Sequence, residues 1–172
     1  VMSKEIVKKA YTEVVKAGPQ CGCGPSCGSP IQEVIDQNWT LSESYAQVEG
    51  YEEVADYGLG CGIPTQDAKI KEGDTVLDLG SGAGNDVFVA RRIVGDSGKI
   101  IGVDMTEAMI DLANENKRKL GFANVEFVLG EIEDLPIEDN SIDVAVSNCV
   151  MNLVPNKERA YQETYRVLKP GG

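Results

Sequence analysis

The sequence predicts an α/β fold: a doubly wound, mainly parallel sheet with helices on both faces. Three observations predict it. Short apolar runs alternate with helix-period segments from residue 74 onward. A glycine-rich turn, GSGAG at 80–84, joins the first of those runs to the first helical segment. An acidic residue, Asp104, closes the second run, 20 residues after Gly84.

Each element has its own signal. Residues 3–17 read as a helix, with Ile6, Ala10 and Val14 recurring every four positions among Lys and Glu. Gly18-Pro19 ends it. Residues 21–30 (CGCGPSCGSP) are a loop. Residues 31–60 suggest short helices, and Gly58, Gly60 and Gly62 mark a tight loop around Cys61. The strands are predicted at 74–79 (DTVLDL), 99–103 (KIIGV), 124–129 (NVEFVL) and 141–147 (SIDVAVS). Between the first two, 84–94 is helical, with Val87, Ala90 and Val94 on one side. Thr106 is the expected N-cap of a helix carrying Met109, Leu112, Ala113 and Leu120. Residues 156–167 form the last helix and run into LKPGG. That ending resembles a turn into a further strand, so the chain is expected to be a fragment lacking the last strands of its sheet and leaving an edge uncovered. Residues 1–70 are expected to be an N-terminal helical, cysteine-containing cap, and 71–172 the α/β unit.

Composition narrows the chemistry. The 172 residues, 42% of them apolar, suffice for one core. A net charge of -12, with no cluster of Lys and Arg, makes nucleic acid an unsuitable partner. No apolar run is long enough to span a membrane and no signal-peptide pattern is visible, so a cytoplasmic protein is expected. Histidine is absent, which removes histidine triads, His–Cys dyads and most mixed zinc sites. The five cysteines, Cys21, Cys23, Cys27, Cys61 and Cys149, are odd in number and are expected to be reduced thiols.

The strongest motif is Asp78-Leu79-Gly80-Ser81-Gly82-Ala83-Gly84, between a strand and a helix. Glycines there let backbone turn sharply and approach a ligand closely. Asn85 breaks the G-x-G-x-x-G spacing of a dinucleotide site, and no G-K-[ST] follows, so neither a dinucleotide fingerprint nor a P-loop is met. A carboxylate at Asp104 suits two ribose hydroxyls. Gly80 to Gly84, Asp104, Gly130 to Ile132 and Asn148 all fall at the carboxyl ends of the strands, where open parallel sheets bind ligands.

In that order DLGSGAG, the Asp104 position, GEIEDLP and VLKPGG resemble the successive motifs of class I S-adenosylmethionine-dependent methyltransferases, over roughly residues 70–172. The resemblance implies a Rossmann-like fold and S-adenosylmethionine as cofactor. It implies that Asp78, Gly80, Ser81, Gly82 and Gly84 hold the methionine and ribose part and that Asp104 binds the ribose. It places Glu131 and Ile132 at the adenine, with Met105, Gly130 and Asn148 completing the set.

GLGCGIPT, GVDMT and SNCVMNLVPNKE closely resemble arsenite methyltransferases over roughly residues 50–172. That likeness implies that Cys61 and Cys149 bind trivalent arsenic, a soft, thiophilic ion. The arsenic would arrive as arsenite or a glutathione conjugate, and turnover would need a thiol reductant. Cys21, Cys23 and Cys27 have a C-x-C-x₃-C spacing unlike a structural zinc site. They read either as arsenic capture, with Cys27 the candidate to form a disulfide with Cys61 during turnover or to act as a third ligand, or as a loop of exposed thiols. Two other readings stay open. One is a methyltransferase acting on a small organic acceptor such as a quinone or sterol precursor, which would not need the Cys61–Cys149 pair. The other is a non-catalytic thiol-based arsenic or metal binder, which would not need the glycine loop.

Overall fold

The computed structural model describes residues 3–17, 48–52, 55 and 62–172. Four strands form one parallel sheet in the order β3-β2-β1-β4: β1 Thr75–Leu79, β2 Lys99–Asp104, β3 Val125–Leu129 and β4 Val144–Ser147. The central pair runs in register from Thr75 opposite Lys99 to Leu79 opposite Val103. Five helical segments accompany the strands among the described residues: α1 Lys4–Ala17, the single turn α2 Pro64–Asp67, α3 Asn85–Val94, α4 Glu107–Leu120 and α5 Lys157–Val167.

Strand alternation sorts the core into two halves. Val76, Ile100, Val125 and Val146 pack with Val87, Phe88 and Val94 of α3 and Ile110 and Ala113 of α4. On the other face Leu77, Leu79, Ile101 and Val103 pack with Ile142, Val154 and the α5 residues Ala160 and Val167. Both faces of β1 are covered, which is why its sequence is an apolar run rather than an alternating one. The sheet is doubly wound as expected, and β3 and β4 are its two edges among the described residues.

Three details differ from the sequence reading. The fourth strand begins at Val144 rather than Ser141, because the residues before it bond elsewhere. Ile142 bridges to Leu168. Asp143 accepts the Thr75 amide at 2.9 Å and the Lys169 ammonium at 2.7 Å. In α1 the inward residue is Val7, 2% exposed, whereas Ile6 is 56% exposed. Thr106 is the N-cap position of α4, but its side chain makes no cap bond there and hydrogen-bonds the Asp104 carboxylate instead.

The loop between β3 and β4 is fastened to α5 by one arginine. Arg166 Nη2 donates to the Leu135 carbonyl at 2.9 Å and to Glu163 at 2.7 Å, and Nη1 donates to the Ile137 carbonyl at 2.9 Å and to Asp139. Glu163, 3% exposed, also accepts the Leu135 amide at 2.9 Å. The paired arginine holds the Glu163 carboxyl below its ordinary range. Replacing Arg166 leaves a buried carboxylate with only the Leu135 amide and Arg159, which reaches it at 3.2 Å, as compensation. Arg166→Ala is therefore expected to lower stability by about 2–3 kcal/mol in urea unfolding, more than an exposed ion pair would.

Candidate functional site

The carboxyl ends of the strands open into a cleft of about 1060 Å³, counting the part open to solvent. Its floor is the turn after β1. Gly80 and Ser81 donate their amides to the Val103 carbonyl at 2.8 and 3.0 Å, which pins the turn to the end of β2. Gly80 and Gly82 have φ of +79° and +50°, a region that disfavours side chains. A Cβ on Gly80 would strike Val150 at 2.6 Å, whereas one on Gly82 would meet nothing within 4 Å and would stand in the cleft. Gly84, at φ +100°, caps α3, and a Cβ there would strike Phe127 at 2.7 Å. Its role is close helix–sheet packing, and it does not line the cleft.

Asp104 organises the wall. Its Oδ2 accepts the Gly82 amide at 3.0 Å and its Oδ1 accepts the Thr106 amide at 2.8 Å. Burial pushes its carboxyl above the ordinary range, while those two amides pull it back. Behind it lies Asp78, 3% exposed. Burial raises the Asp78 carboxyl well above the usual range, and the charges of Asp86 and Asp104 raise it further. Asp78 sits beneath the cleft rather than on its surface, so it supports the cleft from below.

The opposite lip is built by the end of β4. Asn148 Nδ2 donates to the Gly62 carbonyl at 2.8 Å and to Asp86 Oδ2 at 3.0 Å. Cys149 follows at φ +58°, a left-handed conformation that costs a non-glycine residue about 1–2 kcal/mol. Cys149 is disulfide-bonded, which corrects the expectation of reduced thiols throughout. Its sulfur lies 3.3 Å from the Asn148 side-chain oxygen, and in the oxidised state that is a contact rather than a donated bond. Cys21, Cys23, Cys27 and Cys61 lie outside the described residues. Among the described residues no group of three or more Cys, Asp or Glu is arranged to hold a metal ion. No described helix is long and apolar enough to cross a membrane.

Of the residues singled out in the sequence, Gly80, Ser81, Gly82, Asp104, Met105, Gly130, Glu131, Ile132, Asn148 and Cys149 line this one cleft. Asn85, Asp86 and Tyr11 also line it and had no individual signal in the sequence. The chemistry fits a cationic nucleoside ligand. Among the described residues, Asp86, Asp104, Glu131 and Glu133 outnumber the one lining cation, Lys4. The Ser81 hydroxyl and the Asn85 amide oxygen, on two residues of this lining, are buried with no hydrogen-bond partner among the described residues.

Comparison with known proteins agrees with that geometry. Residues 70–172 match the model of a methyltransferase domain. The chain is 44% identical over 179 residues to the arsenite methyltransferase of Halobacterium salinarum, a match covering 99% of this chain and 45% of that protein. It is 39% identical over 104 residues to the ubiquinone/menaquinone biosynthesis C-methyltransferase UbiE of Escherichia fergusonii, covering 60% of this chain and 41% of that protein. Among solved structures, CrArsM, an arsenic(III) S-adenosylmethionine methyltransferase from Chlamydomonas reinhardtii, superposes with a TM-score of 0.60 and 48% identity. That match covers 66% of this chain and 40% of that one. The chain thus spans less than half the length of each of these three proteins. S-adenosylmethionine is the cofactor that the domain match and these neighbours imply.

If ligand hydroxyls donate to Asp104, its ionised form is the stronger acceptor. Because its carboxyl is raised above the ordinary 3.8, that form is lost on acidification at a higher pH than for an exposed aspartate. Calorimetric titration with S-adenosylmethionine is expected to show affinity falling on acidification with a midpoint above 3.8. Asp104→Asn is expected to remove that step and weaken binding about tenfold or more.

Proposed function

The chain belongs to the methyltransferase-domain family, and on that premise we propose that its cleft serves S-adenosylmethionine-dependent methylation of trivalent arsenic held by Cys61 and Cys149. One hydrogen bond carries the reading. The Gly62 carbonyl, in the residue after Cys61, accepts at 2.8 Å from Asn148, the residue before Cys149. Two cysteine positions 88 apart in sequence thereby have neighbours in direct contact at the lip of the cofactor cleft.

In this reading residues 71–172 form the cofactor-binding unit and residues 1–70 a cap over it. The carboxylate of Asp104 takes the ribose hydroxyls, the Gly80–Gly82 backbone admits the methionine part, and Glu131 and Ile132 border the adenine. When bound, S-adenosylmethionine supplies an electrophilic methyl group on a sulfonium sulfur. Asp86 on the cleft wall favours a cation there. Cys149 and Cys61 fix the arsenic substrate at the lip, so the protein's contribution is proximity and orientation. Arsenic(III) carries a lone pair and no proton to be removed before attack, which suits a chain without histidine.

The bridged state of Cys149 gives the thiol reductant a defined task. Two equivalents of a small thiol reduce one protein disulfide to two protein thiols and leave as their own disulfide. The freed thiols, as thiolates, then displace hydroxide or glutathione from arsenite. This chemistry fits a reducing, cytoplasmic setting.

The quinone-type reading stays the nearest competitor, because UbiE is 39% identical to this chain over 104 residues. The Asn148–Gly62 bond and the strained Cys149 favour arsenic, since a carbon acceptor needs neither cysteine. In the full-length protein, Cys61→Ser and Cys149→Ser are each expected to abolish transfer of labelled methyl to arsenite in the presence of glutathione. Both should retain cofactor binding by calorimetry. Undiminished transfer in both variants would reject the assignment.

A further inference from the structure

One helix face lines the cleft with no role assigned to it so far. Lys4, Val7, Lys8 and Tyr11 of α1 stand at i, i+3, i+4 and i+7, which puts them on one side of the helix. Lys4, Val7 and Tyr11 line the cleft, far in sequence from its other walls. Lys4 Nζ lies 2.7 Å from Glu131 Oε2 and 3.0 Å from Glu133 Oε2, and Lys8 adds a longer pair to Glu131 at 3.6 Å. Val7 is 2% exposed, so the helix is seated and not merely nearby.

We propose that this face of α1 is the outer wall of the cofactor site, latched by Lys4 across Glu131 and Glu133, so that cofactor release requires the latch to open. Lys4 is thus a positioning residue: it fixes the carboxylate that borders the adenine end and holds Val7 and Tyr11 over the cleft. Tyr11 is near enough to Asp104 to feel its charge, which, after burial, keeps the phenol above its usual range. The wall therefore runs from the adenine end to the ribose-binding carboxylate. The Lys4 pairs are partly exposed, with 27% of its side chain accessible, so they add little to global stability but govern a local opening. Such pairs are screened by salt.

The proposal rests on the cleft binding S-adenosylmethionine, and the test separates the two. In the full-length protein, release of labelled S-adenosylmethionine is followed after a chase with unlabelled cofactor, at low and high sodium chloride. Wild-type release is expected to accelerate with salt. Lys4→Met is expected to release about fivefold faster at low salt and to lose most of the salt dependence. Lys4→Arg should restore the wild-type behaviour, and Lys9→Met, on the exposed side of α1, should not differ from wild type. A Lys4→Met protein that binds cofactor with the wild-type release rate and salt response overturns the latch and leaves the cleft assignment standing. Failure of the wild type to bind cofactor at all overturns both.

Discussion

The site depends on one carboxylate and two backbone amides. Asp104 closes β2, yet its two oxygens are engaged by Gly82, in the turn after β1, and Thr106, in the turn after β2. A single side chain therefore sets the distance between two loops that parallel strands alone would leave adjustable. The same geometry explains why the residue can be buried: amides aimed at both oxygens offset much of the desolvation that burial imposes. Asn116, fully buried in α4, adds a third tie by donating to the Ala83 carbonyl at 3.2 Å. The glycine turn is consequently held by the sheet, by the next turn and by the following helix.

Around that centre the molecule concentrates negative charge. Asp78, Asp86 and Asp104 are close enough to raise the carboxyl of the most buried of them. Such an arrangement is unfavourable in an empty apolar interior and becomes useful where a cation is to be held. The chain's overall charge of -12 points the same way, since it repels polyanions and leaves a small cationic nucleoside as a compatible ligand.

Much of this was legible in the residues, and the failures are instructive. β1 and β2 were readable because strands covered on both faces are continuous apolar runs bounded by Asp and Gly. Asp104, Gly80, Gly82, Glu131 and Asn148 were readable because each ends or follows a strand on the ligand-binding edge. Asp78 and Gly84 belong to the same motif but serve from beneath, as a buried carboxyl and as close packing, a distinction that requires knowing which way each peptide faces. Tyr11 and Lys4 escaped notice because the inward side of α1 is half cationic. A lysine stem can lie against apolar surface while its ammonium meets a carboxylate, so charge patterning pointed to Ile6 when Val7 was the seated residue. The disulfide at Cys149 could not be read from spacing, since chain distance says nothing of which sulfurs the fold brings together.

Gly80 and Val150 have a mechanical consequence. With no side chain on the glycine, the valine rests directly on the turn, close enough that one added carbon would collide with it. Val150 is also the immediate neighbour of Cys149, whose backbone is already held in an unfavourable conformation. The segment that carries the sulfur and the glycine turn that floors the cleft are therefore packed against each other. Whatever displaces the first is felt at once by the second.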